Sequence, residues 1–391
     1  MDRHGEAVRA DVRMGVMMVL FELDDVTFSH NPTLPPVMDG FSLSIEEGCR
    51  TAVLGANGAG KTTFFYTLLG VNKPQKGCVL YNGNPIDYSK DGLRSLRSEV
   101  AVVLQNPDEQ IFCSLVEEDV AFGPLNLGMS TEDVEARVAK ALADVRLSGL
   151  ERRPLQQLSG GQRKRVAIAG ALAVDPHVMI MDEPTAGLDP QASMEVMELA
   201  EKLALRGVTV LISTHDVDLA YRWSEVSDVL CKGSVAHTGD AEGFYSDVAK
   251  VHSCGLLVPS VFSINREVSA MRGTDPAPYP KSPCELLAKF GKSKRSGKVV
   301  LIPADPEEAA DRLDSAMNDM KGACSCIYGS DVRHALEGRD IDFAFDGVNA
   351  CLSRAVEGKD SVLLYDKIYD PLIRGQIERL RTFGFDTEAV L

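Results

Sequence analysis

The chain has 391 residues, of which 45% are hydrophobic and 25% are charged, as is ordinary for a soluble globular protein with a full core. At about 150 residues per domain, this length predicts two or three domains. Acidic residues outnumber basic ones by 57 to 41, for a net charge of −16, and this balance argues against a nucleic-acid-binding protein with a basic face. The sequence contains no apolar run near the roughly 20 residues that span a bilayer.

The first segment, residues 1–18, is expected to form a loose N-terminus. Residues 14–21 imitate the apolar part of a secretion signal, but an acidic stretch at 22–25 follows at once, without a small-residue cleavage site. The nine cysteines are odd in number and lack a framework spacing, so reduced thiols in a cytosolic protein are expected.

Residues 19–250 alternate short apolar runs with helical patterns. Residues 20–28 and 41–45 predict antiparallel strands joined by a Pro-containing turn. Short apolar runs bounded by turns, which are typical of the central strands of a parallel sheet, occur at residues 50–54, 100–104, 178–181 and 208–213.

Helical patterns start at residue 62 and recur at residues 131–145 and 162–174. Together with the strands, they predict an α/β fold with a parallel-sheet core and an antiparallel β flank. A helical subdomain is expected at about residues 106–175.

Beyond residue 250 the pattern changes. Residues 251–297 are predicted to form an irregular extension or linker, because five prolines and a stretch rich in Lys, Gly and Ser fall there. Residues 298–391 then suggest a small α/β accessory module, whose apolar runs and helical patterns lie at residues 299–302, 306–320, 341–345, 361–364 and 371–383.

A glycine-rich segment follows the predicted strand 50–54 and opens a predicted helix, which is the context of a phosphate-binding loop. Its glycines let backbone N–H groups wrap around phosphate oxygens at a helix N-terminus. Lys61 is expected to reach the β- and γ-phosphates, and the Thr62 hydroxyl to bind Mg²⁺. The predicted ATP-binding residues of this loop are Gly55, Ala56, Asn57, Gly58, Ala59, Gly60, Lys61, Thr62 and Thr63.

Two carboxylates, Asp182 and Glu183, end an apolar strand. Asp182 suits a Mg²⁺ ligand, and Glu183 is then placed to act as the general base on the attacking water. Gln105 and His215 also follow apolar runs, but neither indicates a function by itself.

Taken together, these motifs resemble those of the ATP-binding-cassette ATPase family over about residues 19–250. The resemblance implies a P-loop ABC ATPase core in which Gln105 contacts the metal and the water and faces a transmembrane partner. It identifies residues 158–162 as the signature sequence, residues 186–189 as the D-loop and His215 as the switch histidine that contacts the γ-phosphate. The implied catalytic residues are Glu183, His215, Lys61 and Gln105, and the implied metal ligands are Thr62, Gln105 and Asp182.

In this family the signature segment caps the nucleotide held by an opposite subunit, so the resemblance implies a second ABC ATPase subunit, as a homodimer or a heterodimer. Because residues 159–161 precede a predicted helix, their N–H groups suit an anion. The implied ATP-binding residues on this side are Ser159, Gly160, Gly161, Gln162 and Asp189.

The adenine side departs from the family. Where the family often has Phe-Ser-Tyr, this chain has Phe28-Ser29-His30. Stacking of adenine on the imidazole of His30 is therefore a hypothesis, and it predicts weaker stacking than on a tyrosine.

Residues 105–124 resemble the subgroup that powers energy-coupling-factor importers, especially the cobalt and nickel transport ATPases. This resemblance implies transmembrane transporter subunits, a peripheral position on the cytoplasmic face of the membrane, and uptake of a metal ion, cobalt first. Nickel or a vitamin is the alternative substrate. A soluble cassette working on DNA or the ribosome is disfavoured by the single cassette, the short helical segment and the acidic charge, and no nucleic-acid partner is expected.

The C-terminal module offers Cys324, Cys326, His334 and Cys351 as soft metal ligands. Their spacing fits no zinc pattern, and buried cysteines commonly act as small apolar residues. A regulatory or dimer-stabilising role is therefore expected. Removal of residues 290–391 should alter control of transport and leave basal ATPase activity.

Overall fold

The computed structural model describes residues 18–291, 296–386 and, for the backbone, 389–390. The predicted loose N-terminus lies outside the described residues except for Met18. None of the helices in the described ranges has the length and apolar character needed to cross a bilayer.

The first 250 residues contain ten strands in their described part: β1 (Val19–Phe28), β2 (Met38–Glu46), β3 (Arg50–Leu54), β4 (Lys76–Tyr81), β5 (Asn84–Pro85), β6 (Val100–Val103), β7 (Val178–Asp182), β8 (Thr209–Thr214), β9 (Val226–Cys231) and β10 (Ser234–His237). An antiparallel sheet has the order β2-β1-β4-β5, and a second sheet has the order β10-β9-β3-β8-β7-β6. The second sheet is parallel except at β10. The predicted parallel core with an antiparallel flank is confirmed.

The helices of this part are α1 (Lys61–Leu68), α2 (Lys90–Glu99), α3 (Val116–Leu127), α4 (Thr131–Asp144), α5 (Gly160–Leu172), α6 (Pro190–Leu205), α7 (Val217–Trp223) and α8 (Ala241–Tyr245). Helices α3, α4 and α5 lie between β6 and β7 along the chain, and they pack against one another. Helix α5 begins two residues earlier than predicted, because Ser159 caps it by accepting a hydrogen bond from the N–H of Gln162.

The prediction of an irregular segment at residues 251–297 is wrong. Helix α9 (Val248–Ser253) ends within this segment, and α10 (Ser260–Arg272) and α11 (Pro283–Phe290) lie wholly inside it. Two of the prolines begin helices rather than break them, because Pro259 is the N-cap residue of α10 and Pro283 lies in the first turn of α11. The segment also packs on the cassette through Phe262, which is fully buried against Tyr221 and Tyr245.

The C-terminal part is an α/β unit with a parallel sheet of order β12-β13-β11-β14. Its strands are β11 (Val299–Ala304), β12 (Cys324–Tyr328), β13 (Ser361–Asp366) and β14 (Ala389–Val390). Its helices are α12 (Ala309–Asp319), α13 (Ser330–Ala335), α14 (Gly347–Val356) and α15 (Asp370–Thr382). Residues 341–345 form no strand and make only a bridge between Phe343 and Cys326.

The candidate soft ligands of this unit do not converge on one site, although the Cys326 and Cys351 thiols contact each other. Cys326 and Cys351 are fully buried in the apolar core, whereas the His334 side chain is exposed beside Glu337. Within the described residues, no group of three or more His, Cys, Asp or Glu side chains is arranged to hold a metal ion.

Candidate active site

The phosphate-binding loop connects the C-terminal end of β3 to the first residue of α1, Lys61. Gly58 and Gly60 adopt φ values of 80° and 103°, a region that strongly favours glycine. A Cβ atom on Gly55 would lie 2.6 Å from the carbonyl oxygen of Leu230. The loop therefore needs its glycines for backbone conformation and for close approach to the neighbouring strand β9.

Lys61 lies at the base of this loop. Its Nζ donates a hydrogen bond of 2.7 Å to the carbonyl oxygen of Gly55 and is 3.8 Å from Oε1 of Glu183. The Lys61 side chain is 8% exposed and that of Glu183 is 7% exposed. A buried ammonium is thereby held next to both the loop backbone and the predicted general base.

Asp182 ends strand β7, and its carboxylate accepts hydrogen bonds from two hydroxyl groups. Its Oδ2 accepts a hydrogen bond of 2.7 Å from the Thr62 hydroxyl, and its Oδ1 accepts one from the Ser213 hydroxyl. Hard divalent cations prefer oxygen ligands. The structure thus brings Thr62 and Asp182 together as an oxygen donor set that fits Mg²⁺.

Glu183 has a left-handed backbone conformation, with φ at 45°, which non-glycine residues rarely adopt outside strained or functional positions. Its N–H donates to Oγ of Ser213 at 3.0 Å, which fixes the turn. Its Oε2 is 2.9 Å from Nδ1 of His215, whose side chain is 70% exposed. The carboxylate is therefore held between Lys61 on one side and an accessible imidazole on the other.

The signature segment is built around the N-terminus of α5. Ser159 Oγ accepts from the Gln162 N–H at 3.2 Å, and Gln162 Oε1 accepts from the Ser159 N–H at 3.0 Å. This capping box orients the first turn of the helix, with Ser159 and Gly160 exposed. In the described part of the chain, no hydrogen bond or ion pair joins the side chains of this segment to the phosphate-binding loop.

Two further predicted residues flank the site. Asp189 is the N-cap residue of α6, where its Oδ1 accepts a hydrogen bond of 2.8 Å from the N–H of Ala192. His30 is exposed, with Nε2 3.4 Å from the Thr63 hydroxyl and its ring edge-on to Phe28 at 5.1 Å. His30 thus lies beside the phosphate-binding loop, and its stacking on adenine remains a prediction.

Sequence reasoning missed Lys164, a residue of the signature helix α5 that is only 2% exposed. Its Nζ donates to the carbonyl oxygens of Leu104 and Gln105 at 2.9 and 3.0 Å. Burial lowers the pKa of Lys164 to about 8, an effect that Asp182 and Glu183 partly offset. The Gln105 side chain itself is exposed, so it is the backbone of this residue that Lys164 holds. No local signal in the sequence separates this lysine from an exposed helical one.

Comparison with known proteins gives consistent results. A family profile described as ABC transporter matches residues 38–186. The energy-coupling factor transporter ATP-binding protein EcfA2 of Methanospirillum hungatei is 41% identical over 271 residues, which cover 69% of this chain and 68% of that protein. The EcfA protein of Methanocaldococcus jannaschii is 45% identical over 244 residues, which cover 62% of this chain and 87% of that protein.

Two solved structures extend the comparison. The structure of cbiO1 from Clostridium perfringens, described as part of the ABC transporter complex cbiONQ, is 33% identical, with a TM-score of 0.55 and coverage of 64% of this chain and 95% of that one. A dimeric ATP-binding cassette in a post-hydrolysis state with ADP and Pi is 29% identical, with a TM-score of 0.52 and coverage of 56% and 98%. These similarities, together with the phosphate-binding loop and its neighbouring carboxylates, show that the chain belongs to the ABC transporter family of ATPases, in the group of energy-coupling factor transporter ATP-binding proteins.

Proposed function

We propose that this ATPase drives uptake of a metal ion through membrane partners, with cobalt as the substrate. The observation that carries the catalytic part is the buried Glu183 carboxylate, held between Lys61 and His215 next to the Thr62–Asp182 pair. Cobalt follows from the resemblance of residues 105–124 to cobalt transport ATPases. Nickel or a vitamin is the alternative cargo, because selectivity belongs to a membrane partner rather than to the cassette.

The catalytic steps follow from these positions. The N–H groups of residues 55–63 and the Lys61 ammonium bind the phosphates, and His30 stacks on adenine. Thr62, Asp182 and Gln105 would hold Mg²⁺, which supplies positive charge to the β- and γ-phosphate oxygens. Glu183 takes a proton from the attacking water.

His215 orients the Glu183 carboxylate and contacts the γ-phosphate. An Nδ1–H tautomer would donate to Glu183 Oε2 across the observed 2.9 Å and leave Nε2 free to face the nucleotide.

A second ATPase subunit, identical or related, completes each site. We assign Ser159, Gly160, Gly161, Gln162 and Asp189 to the opposite nucleotide. The capping box of α5 supports this role, because it uses the N–H groups of Ser159 and Gln162 and leaves those of Gly160 and Gly161, in the first turn, available to an anion. Closure of the dimer on ATP and its release after hydrolysis would move the membrane subunits.

An exposed aromatic pair supports a membrane-subunit contact at the cytoplasmic face. Phe112 and Phe122 are 64% and 45% exposed, and their rings pack edge to face at 4.6 Å. Both lie between Gln105 and the signature segment. Paired exposed aromatic rings are typical of protein interfaces.

The division of labour along the chain is also a proposal. Residues 19–250 form the ATPase domain with a helical subdomain at about 106–175. Residues 298–391 form a regulatory unit attached through residues 251–297.

Substitution of Glu183 by Gln tests the catalytic assignment. The variant should bind ATP and remain dimeric, while turnover falls about a hundredfold or more, because a neutral amide cannot accept the proton of the attacking water. Steady-state phosphate release and nucleotide binding are measured beside Glu135→Gln, a control on the exposed face of α4. Turnover at the wild-type rate in Glu183→Gln would reject Glu183 as the general base.

A further inference from the structure

A cavity of about 440 Å³ lies where the cassette, the segment 251–297 and the C-terminal unit meet. Helices α6 and α7 contribute one wall, α11 a second, and α14 and α15 a third. This volume falls within the range of about 300–1,000 Å³ of small-molecule sites, which often occur between domains. None of the residues of the phosphate-binding loop lines it.

Two bidentate ion pairs hold the walls of this cavity together. Arg333 donates to the two carboxylate oxygens of Glu198 at 3.0 and 2.6 Å, and Arg379 donates to those of Glu285 at 2.9 and 2.8 Å. Both glutamates are about 4% exposed or less. Each pair joins a helix of the C-terminal unit to a helix outside it, so the cavity is preformed.

Two cationic side chains of the cavity wall, those of Lys281 and Arg222, form no ion pair with the described residues. Lys281 Nζ contacts only the carbonyl oxygen of Ser224, at 3.3 Å, and has no carboxylate within 4.0 Å among the described residues. The Trp223 side chain also lines this wall, but its indole N–H is enclosed by protein atoms and has no acceptor among the described residues. Arg222 is exposed and likewise makes no hydrogen bond or ion pair with the described part of the chain.

A purely structural role for Lys281 explains only part of this arrangement. The ammonium lies 5.8 Å from the ring of Tyr221 and meets the carbonyl that follows helix α7. That contact uses one of its three N–H groups. Burial lowers the pKa of Lys281, an effect that Glu242 and Glu285 only partly offset, so the fold carries a desolvation cost that an anion in the cavity would reduce.

Apolar side chains line the cavity from two sets of helices: Met194, Met197 and Leu219 belong to α6 and α7, and Val348 and Leu372 belong to α14 and α15. The other charged groups in the wall are already compensated, as in the pairing of Arg50 with Glu225. Asp346 is the exception, since its carboxylate accepts only from the Asn349 amide at 3.1 Å among the described contacts.

We propose that this cavity binds a small organic carboxylate whose anionic end meets Lys281 and Arg222 beside the Trp223 ring, and whose apolar body packs on the methionines of α6. A simple carboxylic acid and an amino acid share this chemistry. An amino acid would in addition place its ammonium near Asp346.

We expect a ligand in the cavity to change the rate of ATP hydrolysis through α6. Ser193, Met194 and Met197 line the cavity, and the same helix starts at its N-cap residue Asp189. The expected change in ATPase rate therefore rests on the proposed function, whereas ligand binding does not.

Trp223 is the only tryptophan in the sequence, so its fluorescence reports on the cavity directly. The full-length chain is titrated with 4-methylpentanoate, leucine and the neutral 4-methylpentanamide, and with phenylacetate, phenylalanine and phenylacetamide. The carboxylates should give a saturable change and the amides none. Tighter binding of the amino acids would identify a zwitterionic ligand, and tighter binding of the simple acids a monoanion.

Two substitutions locate the binding. Lys281→Met should weaken binding about tenfold or more, because it removes a charge-assisted hydrogen bond. Gly375→Leu should abolish it, because Gly375 lines the cavity within α15 and a Cβ there meets open space, so the larger side chain fills the cavity without strain.

Lys289→Met is the matched control, since Lys289 also binds backbone carbonyls but lies outside the cavity. It should bind as the wild type does. The absence of a saturable change with every carboxylate, or a change that persists in Gly375→Leu, would overturn the proposal. Binding without any effect on ATP hydrolysis would leave the site standing and reject its link to α6.

Discussion

Lys164 illustrates how a single buried charge can connect two parts of a nucleotide site. It belongs to the signature helix, yet its ammonium holds the backbone of Leu104 and Gln105 at the end of β6. We interpret it as a positioning residue, since it acts on the Gln105 segment rather than on the nucleotide. Any rotation of α5 on ATP binding would be transmitted to Gln105 through these two hydrogen bonds.

Replacement of Lys164 by Met should retain ATP binding and lower turnover about tenfold, because two charge-assisted hydrogen bonds are lost. Since the pKa of Lys164 is lowered to about 8, wild-type turnover should decline above that pH. In Lys164→Arg the decline should move to higher pH, because a guanidinium keeps its charge. Lys140→Met, on the exposed face of α4, is the control. A pH profile unchanged in both Lys164 variants would contradict the assignment.

Loss of the Lys164 proton should lower turnover, but it should raise the free energy of unfolding. In the unfolded chain a lysine titrates near 10.4, so between about pH 8 and 10 the unfolded state binds more protons than the native one. The free energy of unfolding of the wild type should therefore rise across this window, and the rise should be absent in Lys164→Met.

At the scale of elements, helix α3 and the loop before it form the exposed aromatic surface. Asp119, in the first turn of α3, is 8% exposed and accepts hydrogen bonds from the N–H groups of Phe112 and Cys113 at 2.9 and 3.0 Å. A buried carboxylate thus fixes the loop that carries Phe112 against Phe122. The surface is preorganised, which lowers the entropic cost of docking a partner.

Phe112→Ser combined with Phe122→Ser should reduce cobalt uptake about tenfold or more in vesicles that contain the membrane partners, because interface aromatics carry much of the binding energy. ATP hydrolysis by the isolated subunit should stay unchanged. Leu257→Ser removes an apolar side chain that is 70% exposed elsewhere and should transport normally. Normal cobalt uptake by the double variant would reject the proposed docking surface. The same assay with nickel and with a vitamin tests the substrate. Uptake of either one in place of cobalt would reject cobalt as the substrate.

At the scale of the whole molecule, α6 is the joint between the cassette and the C-terminal unit. Lys202 lies 3.6 Å from Asp144 at the end of α4 and 3.0 Å from Asp331 in α13. The Tyr369 hydroxyl also donates to the carbonyl oxygen of Glu198 at 3.0 Å. The C-terminal unit therefore contacts α6 directly. Through Lys202 of α6 it is also linked to the helical subdomain.

Arg333→Met should destabilise the protein by about 3–5 kcal/mol, because it leaves the buried Glu198 without its partner. The double substitution Glu198→Met and Arg333→Met should recover most of this loss, and urea unfolding of the wild type and these two variants measures both effects. Equal stability of the single variant and the wild type would contradict a tight joint. Deletion of residues 290–391 also removes Arg333 and leaves Glu198 unpaired, so the predicted retention of basal ATPase activity is better tested on the deletion combined with Glu198→Met.

The elements that could be predicted are those whose signals are local. The phosphate-binding loop depends on glycines at φ values that few other residues adopt, and the strands depend on short apolar runs. The segment 251–297 was mispredicted because prolines mark helix starts as well as breaks. Strand β12 was missed because its alternation of Cys, Ser, Cys, Ile and Tyr is a weak strand pattern, although Cys326 is fully buried in the sheet.

By itself the sequence determined the α/β fold class, the ATPase family and the residues that form the phosphate-binding loop and the acidic strand end. Only the tertiary structure decided which distant side chains act together: Lys164 lies 60 positions from Leu104, and Arg333 lies 135 positions from Glu198. Local backbone demands are written into consecutive residues. A buried charge and its partner are brought together only by packing, so neither residue type nor spacing reveals them.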